Sequence, residues 1–254
     1  TVADQKLQFI QIGSDGGYLK APALLTSLTI APGERADILV DFSGLAPGAK
    51  IILRNYAKAP FPGGVAADPQ TTGTVMQFTV TANPYTGPAT VVLPPALNPT
   101  LTGALFPTLP AALVTRTLTL WEVMGMLGPL EVLLNGQKWN ATITEMPKNG
   151  TVEDWTIPNL TADTHPIHLH LVQFQLVSRQ KFDAAKYSAA WLLAQQTKLA
   201  GPPWNIPLAN NAMPPWPLDF TPVEVAVGPY LKGKPMPLTL NEQGWKDTVQ
   251  MNPG

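Results

Sequence analysis

The stretch Ala31-Pro-Gly-Glu-Arg-Ala-Asp-Ile-Leu-Val-Asp-Phe42 contains a turn signal followed directly by a run rich in apolar residues. Proline fixes φ and glycine permits positive φ, so residues 31–33 predict a turn and residues 35–42 predict a β-strand. The same combination recurs on both sides, with further strands predicted at residues 7–12, 27–31, 50–56 and 73–80. Short strands separated by such turns favour an all-β sandwich or barrel.

The second half of the chain repeats this pattern after a proline-rich, nearly uncharged stretch at residues 83–112, which predicts a linker. We therefore expect one domain at residues 1–82 and a second domain at residues 113–254. Strands of the second domain are predicted at residues 114–121, 131–135, 151–157 and 167–178.

Residues 184–240 interrupt the second domain as a predicted loop insertion. A helix is predicted where it begins, at residues 183–196, because Tyr187, Trp191 and Leu192 are spaced for one helix face. Two similar tripeptides follow, Pro202-Pro-Trp204 and Pro214-Pro-Trp216. They predict an ordered loop that is held by aromatic side chains.

The composition excludes several classes of protein. The chain has 254 residues, of which 45% are hydrophobic, enough to bury a sizeable core. The 16 Lys and Arg nearly balance the 17 Asp and Glu, so we expect neither nucleic acid nor an anionic membrane as a partner. The absence of cysteine excludes disulfides, thiolate metal ligands and cysteine nucleophiles within this chain.

All three histidines lie in one short segment, Thr164-His165-Pro-Ile-His168-Leu-His170, and this clustering favours a metal site. Residues two apart on a strand share a face, so His168 and His170 are predicted to project together. His165 has the other parity and precedes a proline, which is expected at a strand start. The segment could therefore serve two sites, and imidazole suits zinc, copper, iron or nickel.

The segment His165-Pro-Ile-His168-Leu-His170 resembles the His-x-x-His-x-His element of multicopper oxidases, the laccase and bilirubin oxidase group. Further segments resemble the bacterial spore-coat laccase type in the same order. They are Gln11-Ile-Gly-Ser-Asp-Gly-Gly17, Ala31-Pro-Gly-Glu-Arg-Ala-Asp37 with Val40-Asp-Phe42, Leu133-Leu-Asn-Gly-Gln-Lys-Trp139, Glu153-Asp-Trp155, Arg179-Gln-Lys-Phe-Asp183 and Gly244-Trp-Lys-Asp-Thr-Val249. The resemblance covers most of the chain and is weakest in the linker and in residues 184–240.

The resemblance implies cupredoxin-like Greek-key β-sandwich domains, with residues 1–82 as part of the second domain and residues 113–254 as most of the third of three domains. It implies that His165 ligates the blue type 1 copper and receives electrons from the substrate. His168 would ligate the type 2 copper and His170 the type 3 pair. The implied reaction is one-electron oxidation of phenols, aryl amines or pigments, coupled to reduction of O2 to water, at an extracytoplasmic, secreted or spore-coat-like location.

The sequence departs from the family's pattern in its ligands. A blue copper site needs a cysteine thiolate, which this chain lacks. The family's His-Cys-His segment would follow Gly244-Trp-Lys-Asp-Thr-Val249, and the two His-x-His pairs of the first domain are absent as well. We therefore expect a fragment whose copper sites are completed by segments of the same protein or of a partner chain. Alone, it is expected to be colourless, inactive and poorly folded.

Two other functions remain open: a mononuclear iron or zinc enzyme of the cupin type, and a noncatalytic cupredoxin-like assembly module. Beyond the histidines, Asp247 is a candidate partner of a metal ligand, or a structural cap. Asp163 and Thr164 are predicted either to orient an imidazole or to cap a turn. Three charged residues follow the first quoted turn and are predicted to form a surface ion pair: Glu34, Arg35 and Asp37.

Overall fold

The computed structural model describes residues 6–82, 86–87, 91–99, 109–206, 217–218 and 220–254. Within these ranges the chain forms eleven short strands and one α-helix, so it is predominantly β, as predicted. The strands are β1 Phe9–Ser14, β2 Gly17–Leu25, β3 Ala36–Val40, β4 Lys50–Arg54, β5 Thr74–Thr79, β6 Val114–Thr117, β7 Leu120–Gly125, β8 Gly128–Leu134, β9 Glu153–Thr156, β10 His165–His168 and β11 Thr248–Met251; the helix is α1 Ala184–Ala200. No helix among the described residues is both long and apolar enough to cross a membrane.

The chain divides into two compact units. The first comprises Thr1–Thr108, His165–Val177 and Leu238–Gln250, and the second comprises Leu109–Thr164, Ser178–Pro237 and Met251–Gly254. This division differs from the predicted contiguous domains at 1–82 and 113–254, because residues 243–245 hydrogen-bond to the beginning of the chain and the segment 165–177 bonds in turn to Lys246 and Asp247. Gly16 N donates to the Trp245 carbonyl at 2.9 Å, and Lys20 N donates to the Gln243 carbonyl at 3.1 Å. Much of the predicted linker, residues 83–85, 88–90 and 100–108, lies outside the described residues.

The first unit contains a three-stranded antiparallel sheet with the order β2-β1-β3, and a second antiparallel pair, β4 with β5. The predicted turn at residues 31–33 is confirmed: Gly33 has a φ of +89°, and Glu34 N donates to the Ala31 carbonyl at 3.0 Å. The predicted strand at residues 27–31 is wrong, since this segment belongs to no strand. Strand β2 was not predicted, because Gly17 and Pro22 look like turn residues.

Two glycines of the β1–β2 region are required by close approach. A Cβ atom at Gly13 would lie 2.5 Å from the Asp37 carboxylate, and one at Gly16 would lie 2.6 Å from the Trp245 side chain. Both positions therefore admit only glycine without a shift of the neighbouring chain. The Gly-Ser-Asp-Gly-Gly sequence thus allows residues 243–246 to pack directly on this turn.

The second unit pairs β6 with β9 in parallel and β7 with β8 as an antiparallel hairpin. The predicted helix at residues 183–196 is confirmed and extends to Ala200. The Asp183 side chain accepts a hydrogen bond from Lys186 N and caps its first turn. One face of the helix is buried, and its members are four residues apart: Tyr187, Trp191, Gln195 and Leu199.

The aromatic anchor predicted after this helix is present in part. Trp204 packs on Phe220 with ring centroids 5.1 Å apart, and the Lys198 ammonium lies over both rings. The second tripeptide, Pro214-Pro-Trp216, lies outside the described residues.

Tyr187 is a buried polar anchor of the second unit, and burial raises its pKa to about 12. Its hydroxyl donates to the Val225 carbonyl at 3.0 Å and therefore accepts from the Thr119 hydroxyl at 2.8 Å. Replacing Tyr187 by phenylalanine leaves both partners unpaired, so we expect the free energy of unfolding to fall by about 1–3 kcal/mol. Urea unfolding of the full-length protein measures this. Tyr56→Phe, at an exposed ring, is the matched control, and equal midpoints for the two variants would contradict the assignment.

Candidate metal centre

The histidine segment forms a shorter strand than predicted. Strand β10 contains only His165–His168 and pairs with β11. Leu169 N then donates to the Asp247 carbonyl at 2.9 Å, and Leu171 adopts a φ of +72°, which ends the extended run. The predicted strand at residues 167–178 is therefore wrong beyond His168, where a single bridge between Phe174 and Lys246 remains.

His168 and His170 nevertheless lie together, as predicted. Their ring centroids are 4.9 Å apart and the ring planes meet at 71°, an edge-to-face arrangement. Both residues are exposed. Two imidazoles at this separation can serve one metal centre or two neighbouring ones.

The neighbours of His168 fix its tautomer. Its Nδ1 atom lies 2.9 Å from the Asp247 carbonyl oxygen and 2.9 Å from Thr248 Oγ1. A carbonyl can only accept, so Nδ1 carries the proton. The Thr248 hydroxyl donates its own proton to Asp247 Oδ1 at 2.8 Å, which leaves its oxygen free to accept as well. With the Nδ1 position taken by this proton, Nε2 is the ring nitrogen that can bind a metal ion.

The Asp247 carboxylate lies beside His168, with Oδ1 3.4 Å from the ring Nδ1. Of the two roles predicted for Asp247, this contact favours that of a partner of the candidate ligand His168 over that of a structural cap. The Arg35 guanidinium grips this carboxylate with both terminal nitrogens, Nη1 to Oδ1 at 2.6 Å and Nη2 to Oδ2 at 2.5 Å. This hydrogen bonding from Arg35 holds the pKa of Asp247 well below its usual range. Arg35 forms the predicted surface ion pair, although its partner lies 212 residues away in the sequence. The prediction is wrong for Glu34, whose side chain is only 8% exposed and pairs with the buried Lys246.

A buried charge cluster, formed by Asp15, Glu34 and Lys246, supports the position of Asp247. The Lys246 ammonium lies 3.2 Å from both Asp15 Oδ2 and Glu34 Oε1, and the three side chains are at most 8% exposed. Asp15 also accepts from the backbone N–H groups of Asp247 and Thr248, at 3.3 and 3.2 Å. The cluster therefore holds the segment whose carbonyl accepts the His168 proton.

Sequence reasoning missed Asp15 and Lys246 as supporting residues. Asp15 stands in a glycine-rich turn, where aspartate is common for local reasons. The usable signal was the near absence of other charges around it.

His165 begins β10 and is half-buried. Across the described ranges, no group of three or more His, Asp or Glu side chains could hold a metal ion. Just before His165 in the sequence, the Thr164 hydroxyl donates to the Asn252 side chain at 3.1 Å, and the Asp163 carbonyl accepts from Asn159 Nδ2 at 2.7 Å. These bonds connect the residues before His165 to Asn159 and Asn252, and both roles predicted for Asp163 and Thr164 stay predictions.

Comparison with protein families and curated proteins points to copper enzymes. The sequence model of the family described as multicopper oxidase matches residues 107–254. A laccase of Bacillus stratosphericus is 36% identical over 252 residues, which are 99% of this chain and 40% of that protein. A laccase of Bacillus subtilis (strain 168) is 36% identical over 97% of this chain and 39% of its own length. A bilirubin oxidase of Albifimbria verrucaria is 35% identical over 72% of this chain and 31% of its own.

Solved structures agree on the fold. A multicopper oxidase of the hyperthermophile Aquifex aeolicus superimposes with a TM-score of 0.57 at 23% identity, covering 99% of this chain and 42% of that one. A multicopper oxidase of Pediococcus acidilactici gives a TM-score of 0.55 at 21% identity, covering 99% and 37%. The all-β, cupredoxin-like fold is thus confirmed. The chain spans about two fifths of the length of the laccases that it matches.

Proposed function

Because the chain belongs to the multicopper oxidase family, a family of copper-dependent oxidoreductases, we propose that it supplies three histidine ligands of a laccase-like enzyme. His165 binds the blue type 1 copper and is the point of electron entry. His168 binds the type 2 copper, and His170 binds one copper of the type 3 pair. The whole enzyme oxidises phenolic, aryl-amine or pigment substrates in one-electron steps and reduces O2 to water with four electrons.

The geometry around His168 is the observation that carries this proposal, because its residues fit a copper ligand. Its Nδ1 proton is engaged by the Asp247 carbonyl, and Nε2 is left as the donor atom. The His170 ring makes no hydrogen bond within the part of the chain that the structure describes, so its nitrogens are accessible as well. When bound, copper supplies reversible one-electron redox chemistry at these imidazoles.

The remaining ligands of the copper sites come, in this proposal, from residues outside this 254-residue chain, in the same protein or in a partner chain. Two facts support it: the sequence contains three histidines and no cysteine, and it spans 40% of the Bacillus stratosphericus laccase. The proposed partners of the enzyme are therefore these segments, a small aromatic donor and O2. An extracytoplasmic or spore-coat-like location is proposed by similarity to the laccases.

A mononuclear iron or zinc enzyme has less support. Such a site needs three or more ligands from this chain, whose only imidazoles are the three in one segment. The described part of the chain contains no group of three potential ligands. Nothing observed favours a noncatalytic assembly module either.

Copper loading and oxygen consumption of the full-length protein test the function. We expect several copper ions per molecule, blue absorption, and four phenolic or aryl-amine molecules oxidised for each O2 consumed. The 254-residue chain produced alone is the control, and we expect neither colour nor turnover from it. One iron or zinc ion per molecule without copper would contradict the oxidase, and a blue, active 254-residue chain would contradict the shared ligand set.

A further inference from the structure

We propose that Arg35 is a positioning residue for His168: by fixing the Asp247 carboxylate it orients the Thr248 hydroxyl, which keeps the His168 proton on Nδ1 and presents Nε2 to the metal. The inference rests on the proposed function, since it assigns Arg35 a role at the copper site of His168. The residues concerned all belong to the first unit.

The first step is the immobilisation of the guanidinium. Arg35 Nη1 donates to the Gly33 carbonyl at 2.8 Å, and Nη2 donates to the Asp15 carbonyl at 3.1 Å. These bonds are in addition to the two that bind the Asp247 carboxylate. A planar guanidinium that makes four hydrogen bonds fixes both the position and the plane of the carboxylate. The single point charge of a lysine could not do this.

The second step passes from the carboxylate to the ring. Asp247 Oδ1 accepts the Thr248 proton, so the oxygen of that hydroxyl is directed as an acceptor toward His168 Nδ1. With the carboxylate displaced, the Thr248 hydroxyl can rotate and donate to Nδ1, in competition with the Asp247 carbonyl that accepts the Nδ1 proton. A donor at that position stabilises the ring form with its proton on Nε2, where the proton would block metal binding.

If Arg35 served only to stabilise the fold, its loss would lower the thermal stability of the protein and leave copper binding unchanged. Half of its side chain is exposed, and ion pairs at such positions contribute little to folding. Loss of the Arg35 pair should therefore leave the thermal stability of the copper-free protein nearly unchanged, whereas loss of the positioning role should weaken copper binding. The two readouts separate the roles.

The experiment compares Arg35→Gln and Arg35→Lys in the full-length protein. Type 2 copper is followed by electron paramagnetic resonance during competition with a chelator, and the His168 tautomer by 15N chemical shifts of the copper-free protein. Removal of a residue that orients a metal ligand typically weakens binding 10–100-fold, so we expect about that loss for Arg35→Gln and a smaller one for Arg35→Lys. The unfolding temperature of the copper-free protein should fall by no more than about 4 °C.

Arg116→Gln is the matched control. Arg116 also grips a carboxylate with two nitrogens, at 2.7 and 3.0 Å from Glu153, and lies in the second unit. We expect wild-type copper affinity from this variant. Copper affinity of Arg35→Gln equal to that of the wild type, or a His168 ring that stays protonated on Nδ1 in Arg35→Gln, would overturn the role of Arg35. A wild-type protein that binds no copper would overturn the proposed function instead.

Discussion

Replacing His168 by alanine is expected to lower oxygen consumption by the full-length protein at least about 100-fold, because in the proposed function this residue is itself a metal ligand. Loss of a residue that merely orients a ligand already costs 10–100-fold in affinity or activity, and loss of the ligand should cost more. The Nδ1 bond to the Asp247 carbonyl means that only Nε2 can bind the metal, and alanine removes it. Oxygen-electrode rates and the type 2 copper signal measure the two effects together.

The His165→Ala variant distinguishes the two copper sites of the proposed arrangement. In the proposed arrangement His165 serves the blue copper, so His165→Ala should lose the blue absorption while it keeps the type 2 copper signal. His168→Ala should show the reverse. Gln173→Ala, at an exposed position shortly after the histidine segment, is the control and should keep both signals. Retention of more than a tenth of the wild-type oxygen consumption by His168→Ala would contradict the assignment.

The pairing of His168 with His170 could be predicted from the sequence, although strand alternation explains it only in part. Alternation on a strand placed the two rings on one face, but β10 ends at His168. The rings meet because Leu169 N bonds to the Asp247 carbonyl and keeps the chain extended for one more residue before Leu171 turns. Strand alternation therefore gave the correct relative position of the two rings. It did so because the hydrogen bond from Leu169 to the remote Asp247 carbonyl keeps the chain extended between them.

The support of the site could not be predicted in the same way. Arg35 and Asp247 are 212 residues apart, and no local pattern indicates that one turn of the chain will meet the other. The glycines offered an indirect signal, since Gly13 and Gly16 leave room for the Asp37 and Trp245 side chains. A glycine that is needed for close approach implies a neighbour, but its identity depends on the long-range topology. The division into noncontiguous units escaped prediction for the same reason.

The helix prediction succeeded because it needed only local information. Asp183 is a favourable N-cap, and the buried positions recur every four residues from Tyr187 to Leu199. Gln195 breaks the apolar pattern of that face, yet it is fully buried. Its amide exchanges two hydrogen bonds with the backbone of Val223, at 2.8 and 2.9 Å, and so satisfies a polar group that sequence periodicity alone would place in solvent.

The second large effect is expected at the buried charge cluster. Replacing Lys246 by methionine leaves the Asp15 and Glu34 carboxylates buried without their shared cation. Removing one partner of a buried ion pair typically costs about 3–5 kcal/mol, much more than an exposed pair is worth. The expected change is therefore a loss of this size in the free energy of unfolding of the first unit. Urea unfolding of the copper-free, full-length protein measures it.

Lys232→Met provides the matched control, because Lys232 forms an ion pair with Asp183 while 60% of its side chain is exposed. This variant should unfold at nearly the wild-type urea concentration. Adding Glu34→Gln to Lys246→Met removes one of the two carboxylates that lose Lys246 as a partner, so the double variant should recover part of the loss. If Lys246→Met and Lys232→Met cost the same, the cluster contributes no more than a surface ion pair. In that case the backbone bonds from Asp247 and Thr248 to Asp15 would hold the histidine-supporting segment without help from Lys246.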